Sequence, residues 1–364
     1  MAKRSAASSW QKYWQRAWAQ ALRPGGMSAK AKKTSARVVK ATQVAAAAAS
    51  AARRLAKPVV EGARHAVKGG LSRPSPPPPG PGDWLTGVAA GAGGMRAWQL
   101  YRPPGTRFGE RLPVLVMLHG CGQDAAGFAR SCRMNKGAQR EHSLVLYPEQ
   151  SRLANGQRCW NWFETESGHA QAEAALILQA VDQVCLLHGG DRRRVAVAGL
   201  SAGASMAALL ASRYPTRFAA VAMCAGVAPG LAHSTATALR AMRGRGRSAP
   251  PPAERQDWPP LLVIQGQADR VVVPANGRQA AEQWAQATGA MATAPRRTQR
   301  GQRHPATVTD YRREGRTLVS LVEVEQLGHA WSGGPASLAF SDPKGPDASS
   351  LVWRFVAKCW AEGQ

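Results

Sequence analysis

The chain has 364 residues, 44% of them hydrophobic, and a net charge of +26. This is ample material for a buried core in one or two domains. No stretch reaches the roughly 18 or more apolar residues of a membrane span, so no transmembrane span is expected.

The charge is unevenly spread. Residues 1–82 hold 16 Lys/Arg against the single acid Glu61, which is +15 of the net +26. This predicts an N-terminal extension (1–73), a linker (74–82) and one catalytic domain (83–364). In the extension, Trp10, Trp14 and Trp18 fall four apart, Leu22 continues the row, and Lys12 and Arg16 flank it. On a helix that pattern is an aromatic stripe between cations. Such a face suits an anionic membrane surface or a coated granule, or packs on the catalytic domain. Residues 28–68 are rich in Ala and Lys, a basic helical or disordered tail fit for polyanions. Lys/Arg runs are usually solvated, so no specific nucleic-acid binding is expected. Gln11, Lys12, Gln15 and Arg16 interrupt the early tryptophans, and no ordinary signal peptide is read. Residues 74–82 are mostly proline, a stiff extended linker.

The catalytic domain opens on an apolar strand, 113–118, which runs into a glycine-bearing loop, His119-Gly120-Cys121-Gly122-Gln123. Further on, Trp160 and Trp162 follow a turn-rich stretch, 154–157. They are expected either to line an apolar groove for substrate or to anchor the loop. A short buried strand, 195–198, then leads into Gly199-Leu200-Ser201-Ala202-Gly203, and a helix-compatible run follows from Ala204. Strand, sharp turn and helix with a serine at the apex form a nucleophile elbow. A second Pro-rich, basic stretch at about 240–260 reads as a surface loop or lid insertion. The strand pattern 261–264 delivers Asp269 into a loop. The strand pattern 319–324 delivers His329 into another, with Trp331 as a further groove candidate.

The elbow demands an acid and then a histidine later in the chain. Asp269 and His329 satisfy that order at strand ends. His329 would take the Ser201 proton as the hydroxyl attacks an ester carbonyl. Asp269 would hold the imidazole tautomer, and water would release the acyl-enzyme. Charge developing on the carbonyl oxygen needs fixed amide donors. The expected pair is the backbone N–H of Ala202 and that of Cys121. His119 precedes the serine, which is the wrong order for the base.

Six cysteines show no metal spacing and no His/Cys cluster, so no metal and no cofactor is expected. Cys185 and Cys224 lie in apolar runs and read as core. The six cysteines do not settle the redox compartment.

Residues 119–123, Tyr147-Pro148-Glu149-Gln150, Cys159-Trp160-Asn161-Trp162-Phe163, the elbow, Gly266-Gln267-Ala268-Asp269 and Gly328-His329-Ala330-Trp331 occur in that order. Together they resemble the polyhydroxybutyrate depolymerase family of esterases, related to feruloyl and acetyl-xylan esterases, over about residues 85–360. The resemblance implies an α/β-hydrolase fold with a mostly parallel central sheet flanked by helices. It implies a Ser201–His329–Asp269 triad cutting short-chain polyhydroxyalkanoate or similar small esters. A feruloyl or acetyl-xylan type esterase is the alternative. So is a granule- or polyanion-binding protein on a hydrolase fold. Two departures from secreted members stand out: no ordinary signal peptide, and no room after the last apolar run for a polymer-binding module. Both suggest a cytoplasmic enzyme on the surface of polyhydroxyalkanoate granules, with an extracellular one as alternative.

Overall fold

The computed structural model describes residues 76–246 and 256–362. The extension with its tryptophan stripe, and residues 247–255 of the Pro-rich insertion, lie outside the described residues.

The described part is built on an eleven-stranded sheet. Its first edge is the hairpin of β1 (Asp83–Gly91) and β2 (Gly94–Arg102). β2 continues antiparallel to β4 (Leu144–Pro148). Five parallel neighbours follow: β3 (Leu112–Leu118), β5 (Gly190–Leu200), β6 (Ala220–Cys224), β7 (Leu261–Gly266) and β11 (Arg316–Val324). The far edge is antiparallel again, with β10 (Ala306–Arg313) joined by β8 (Met291–Ala292) and β9 (Arg296–Thr298). A separate parallel pair, β12 (Trp331–Ser332) and β13 (Ser341–Asp342), lies in the C-terminal segment.

The central strands are unbroken apolar runs because helices cover both faces of a parallel sheet. All seven residues of β3 and all six of β7 are buried. On one face lie α3 (His169–Leu187) and α4 (Ala202–Arg213), against β1, β5 and β6. On the other lie α1 (Ala125–Cys132), α2 (Met134–Arg140) and α7 (Ala348–Glu362). The remaining helices are α5 (Thr235–Met242) and α6 (Ala275–Thr288). Among the described helices, α3 alone is long and apolar enough by composition to cross a membrane, yet over half of it is buried against the sheet.

The strand order decides where a site can form. From β3 the chain moves outward to β4, then returns across to β5 on the other side of β3. The loops leaving β3 and β5 therefore part in opposite directions and open a crevice at the carboxyl ends of the strands. Such switch points are where open α/β sheets bind ligands.

Candidate active site

Ser201 stands at that switch point, between β5 and α4. Its backbone takes φ 56° and ψ −120°, a region that side chains rarely occupy. Such strain costs about 1–3 kcal/mol. It is held by what surrounds it: the Ser201 N–H donates to the Cys224 carbonyl at 2.9 Å, and β5 is buried on one side and α4 on the other. Burying even one or two of those Val and Leu side chains is worth about that much. The elbow's glycines act through space. A Cβ on Gly199 would lie 2.4 Å from the Gly203 backbone, and one on Gly203 would lie 2.1 Å from the Leu118 carbonyl. Only bare backbone lets strand, turn and helix approach this closely.

The sequence-predicted acid and histidine come to the same point. His329 Nε2 lies 2.9 Å from Ser201 Oγ, and its Nδ1 lies 2.8 Å from Asp269 Oδ2. An ionised carboxylate only accepts, so Nδ1 carries the proton and Nε2 accepts from the serine hydroxyl. Asp269 is itself fixed, since its Oδ1 accepts the N–H groups of Val271 at 2.8 Å and Val272 at 2.9 Å. The Asp269 side chain is fully buried and that of His329 is 9% exposed, which shields the pair from water. The arrangement can relay a proton away from the serine hydroxyl as it attacks.

The loop after β3 faces the serine. A Cβ built on Gly120 would lie 3.6 Å from Ser201 Cβ. The N–H groups of Cys121 and Ala202 donate to no acceptor among the described residues. For Ala202 this follows from its place in the first turn of α4.

His119 is wholly enclosed. Its Nε2 accepts the Gln150 N–H at 3.1 Å, so its Nδ1 donates to the Gly120 carbonyl at 2.8 Å. Burial lowers its pKa to about 4 and keeps the ring neutral. With both nitrogens occupied it cannot serve as a base; it pins the loop.

Cys121 and Cys159 are bridged, with Cα atoms 4.2 Å apart, tying the loop after β3 to the segment before α3. The remaining cysteines (132, 185, 224 and 359) are buried thiols. Burial pushes Cys132 and Cys359 up to about 12, which leaves them unreactive.

The expectation of a substrate-groove role is corrected for Trp160 and Trp331. Trp160 and Trp331 have no exposed surface. Their indole N–H groups donate inward, to the His119 carbonyl and to Ser349 Oγ, each at 3.0 Å. Trp162 is 7% exposed and packs edge-on against Phe163. Trp160 thus anchors the loop after β3, and Trp331 packs edge-on against Phe128 in the core.

Sequence reasoning missed the cluster that supports the loop. Glu173, on the buried face of α3, accepts from Gln150 Nε2 at 2.6 Å and from the Asn161 N–H and Nδ2, each at 2.9 Å. Arg96 Nη2 lies 3.6 Å from it, and the guanidinium sits 5.9 Å above the Trp160 ring. Burial raises the Glu173 pKa, while these donors oppose the rise. Gln150 thus joins Glu173 to His119. The available signal was an acid, Glu173, set among the alanines that open a largely apolar helix. Among the described residues no group of His, Cys, Asp and Glu could hold a metal ion.

The family model described as Esterase PHB depolymerase matches residues 96–305, which include Ser201 and Asp269 and stop short of His329. Poly(3-hydroxyalkanoate) depolymerase C of Paucimonas lemoignei is 34% identical over 190 residues, covering 47% of this chain and 44% of that protein. Feruloyl esterase B of Thermothelomyces thermophilus is 27% identical over 194 residues, covering 49% of this chain and 66% of that one. This chain therefore spans less than two thirds of the length of either relative. Among solved structures, an acetyl xylan esterase from Aspergillus awamori superposes with a TM-score of 0.57 at 17% identity, covering 75% of this chain and 99% of that one. That likeness supports the α/β-hydrolase fold.

Proposed function

Since the chain belongs to the esterase PHB depolymerase family, we propose that it is a serine carboxylesterase acting on short-chain polyhydroxyalkanoate esters, poly-3-hydroxybutyrate or its oligomers. The observation that carries this is the unbroken Ser201–His329–Asp269 hydrogen-bonded chain at the switch point.

Ser201 Oγ attacks the ester carbonyl while His329 Nε2 takes its proton. The proton then passes to the leaving alkoxide, which departs as alcohol. Asp269 stabilises the imidazolium without taking the proton. The tetrahedral oxyanion is held by the N–H groups of Cys121 and Ala202, whose lack of a protein acceptor supports that role. Loss of one such donor typically costs about 3 kcal/mol in the transition state. Water, activated by His329, then hydrolyses the acyl-enzyme.

Two further readings attach to this one. Residues 1–73 would anchor the enzyme to a granule or anionic membrane surface, a reading carried by the sequence alone. The Cys121–Cys159 bridge bears on compartment, because disulfides persist where the environment is oxidising. It supports the extracellular alternative over the cytoplasmic one.

The test is to incubate the parent protein and Ser201→Ala with amorphous polyhydroxybutyrate granules, hydroxybutyrate oligomers, methyl ferulate and acetylated xylan. Release of 3-hydroxybutyrate by the parent alone is expected. Activity confined to ferulate or acetyl esters would keep the mechanism and replace the substrate. Equal activity in Ser201→Ala would overturn the nucleophile.

A further inference from the structure

Away from the triad, a cavity of about 1120 Å³ opens between the β7–β11–β10 end of the sheet and α7. None of Ser201, Asp269 and His329 lines it. Its floor is apolar: Leu262, Ala306, Val308, Val322, Leu351 and Phe355. Of these, Val308, Leu351 and Phe355 remain only partly buried against the core.

The rim is cationic and its wall is built. The loop between β9 and β10 is tied to the segment after β13. His304 N–H donates to the Lys344 carbonyl at 2.8 Å, and Arg303 Nη1 donates to the Gly345 carbonyl at 2.6 Å. Arg296 is committed to Asp310 at 2.5 Å. The one acid on the lining, Asp347, accepts from the N–H and Oγ of Ser350 at 3.0 and 2.8 Å. Arg300, Lys344 and Arg354 also line the cavity, and their side chains have no acceptor among the described residues.

Surface cations alone are ordinarily solvated. Here three exposed cations without an acceptor among the described residues line the same cavity as a set of apolar side chains. One chemistry satisfies both parts: a single apolar chain ending in an anion. The cavity volume is of the size that takes such molecules. A second copy of a chain carrying +26 does not complement a cationic rim.

We propose that this groove is a binding site for amphipathic carboxylates, acyl or hydroxyacyl chains whose acid group is held by Arg300, Lys344 and Arg354. Naming the head as a carboxylate rests on the ester-hydrolysis reading, because that reaction releases such acids. The planar guanidinium forks of Arg300 and Arg354 match a carboxylate in two parallel hydrogen bonds. Asp347 on the lining favours a monoanion over a dianion.

The test is calorimetric titration of the full-length protein with decanoate below its micelle concentration, beside decanol, acetate and decyl phosphate. Saturable one-site binding of decanoate is expected. Decanol and acetate should each bind at least about tenfold more weakly, the loss of one well-placed charged or apolar contact set. The triple variant Arg300→Ala, Lys344→Ala, Arg354→Ala should lose about tenfold or more in decanoate affinity. It should keep its thermal midpoint and its turnover of a soluble ester, which separates ligand loss from misfolding. Equal affinity for decanol and decanoate, an unaffected triple variant, or no saturable binding would each overturn the proposal. Tighter binding of decyl phosphate than of decanoate would overturn the carboxylate assignment. The titration involves no turnover, so failure of the esterase reading is seen in the Ser201→Ala comparison and not here.

Discussion

Two polar clusters meet at the loop 119–123, and they use buried charge in opposite ways. In the Ser201 cluster, Asp269 satisfies one oxygen with backbone N–H groups and turns the other to His329, whose far nitrogen meets Ser201 Oγ. In the second cluster, Glu173 turns both oxygens inward, onto Gln150 and Asn161, with Arg96 as counter-charge. The first leaves one hydroxyl free to react. The second keeps both carboxylate oxygens occupied inside the fold, leaves Arg96 Nε and Nη1 buried without a hydrogen-bond partner among the described residues, and ties Gln150 to the loop on which Cys121 sits. A buried carboxylate is therefore not by itself a sign of catalysis. What distinguishes the two is whether the chain of hydrogen bonds ends on a group that substrate can reach.

The largest effect should come from breaking the open chain. Asp269→Asn keeps the shape but offers an N–H where His329 Nδ1 needs an acceptor, so the wrong imidazole tautomer is favoured. We expect kcat on a soluble ester to fall by roughly 10⁴-fold. The thermal midpoint should change little, because Val271 and Val272 can still donate to the amide oxygen. A fall of tenfold or less would mean that Asp269 does not set the tautomer.

Breaking the closed chain should read out first as stability. Glu173→Gln leaves the Arg96 guanidinium, 2% exposed, without a counter-charge. Removing one partner of a buried pair costs about 3–5 kcal/mol. The kinetic effect should be smaller and should fall on kcat more than on KM, because the Cys121 N–H would be held less firmly where the oxyanion forms. Pairing it with Arg96→Met should recover much of the stability. Wild-type unfolding free energy in Glu173→Gln would show that the loop does not depend on this cluster.

The same contrast explains what was legible in the sequence. The meeting of Ser201, His329 and Asp269 could be read because each residue ends a strand pattern: 195–198 before Ser201, 261–264 before Asp269, and 319–324 before His329. Local patterns place those residues at one end of a parallel sheet, and chain order assigns the roles. The Glu173 cluster could not be read this way. Its members come from β2, the end of β4, the loop before α3 and α3 itself, and only tertiary packing brings them together. The tryptophans misled for a related reason. An aromatic beside a turn looks the same in sequence whether it faces a groove or the core, and only the inward hydrogen bonds of Trp160 and Trp331 separate the two. The basic groove beside α7 was illegible too, because its cations are dispersed over three segments.

The smallest effect concerns the residue that links the clusters, and it has a sign. His119 has a folded-state pKa of about 4, depressed chiefly by burial, against about 6.5 in an unfolded chain. Between those values the unfolded chain binds a proton that the folded one refuses, so stability rises with pH across that window. The contribution is fully present above about pH 6.5 and is lost progressively as pH falls towards 4, below which no more is lost. Its size is about 3 kcal/mol, on the order of 1.4 kcal/mol per pH unit of the window. Urea unfolding of the parent and of His119→Gln at intervals from pH 7 to 4 measures it. The parent should lose more stability than the variant, mostly between pH 6 and 4.5. Parallel curves would mean that the ring is reached by water or protonated in the fold, and then His119 could not be the neutral pin that holds Gly120 against the serine.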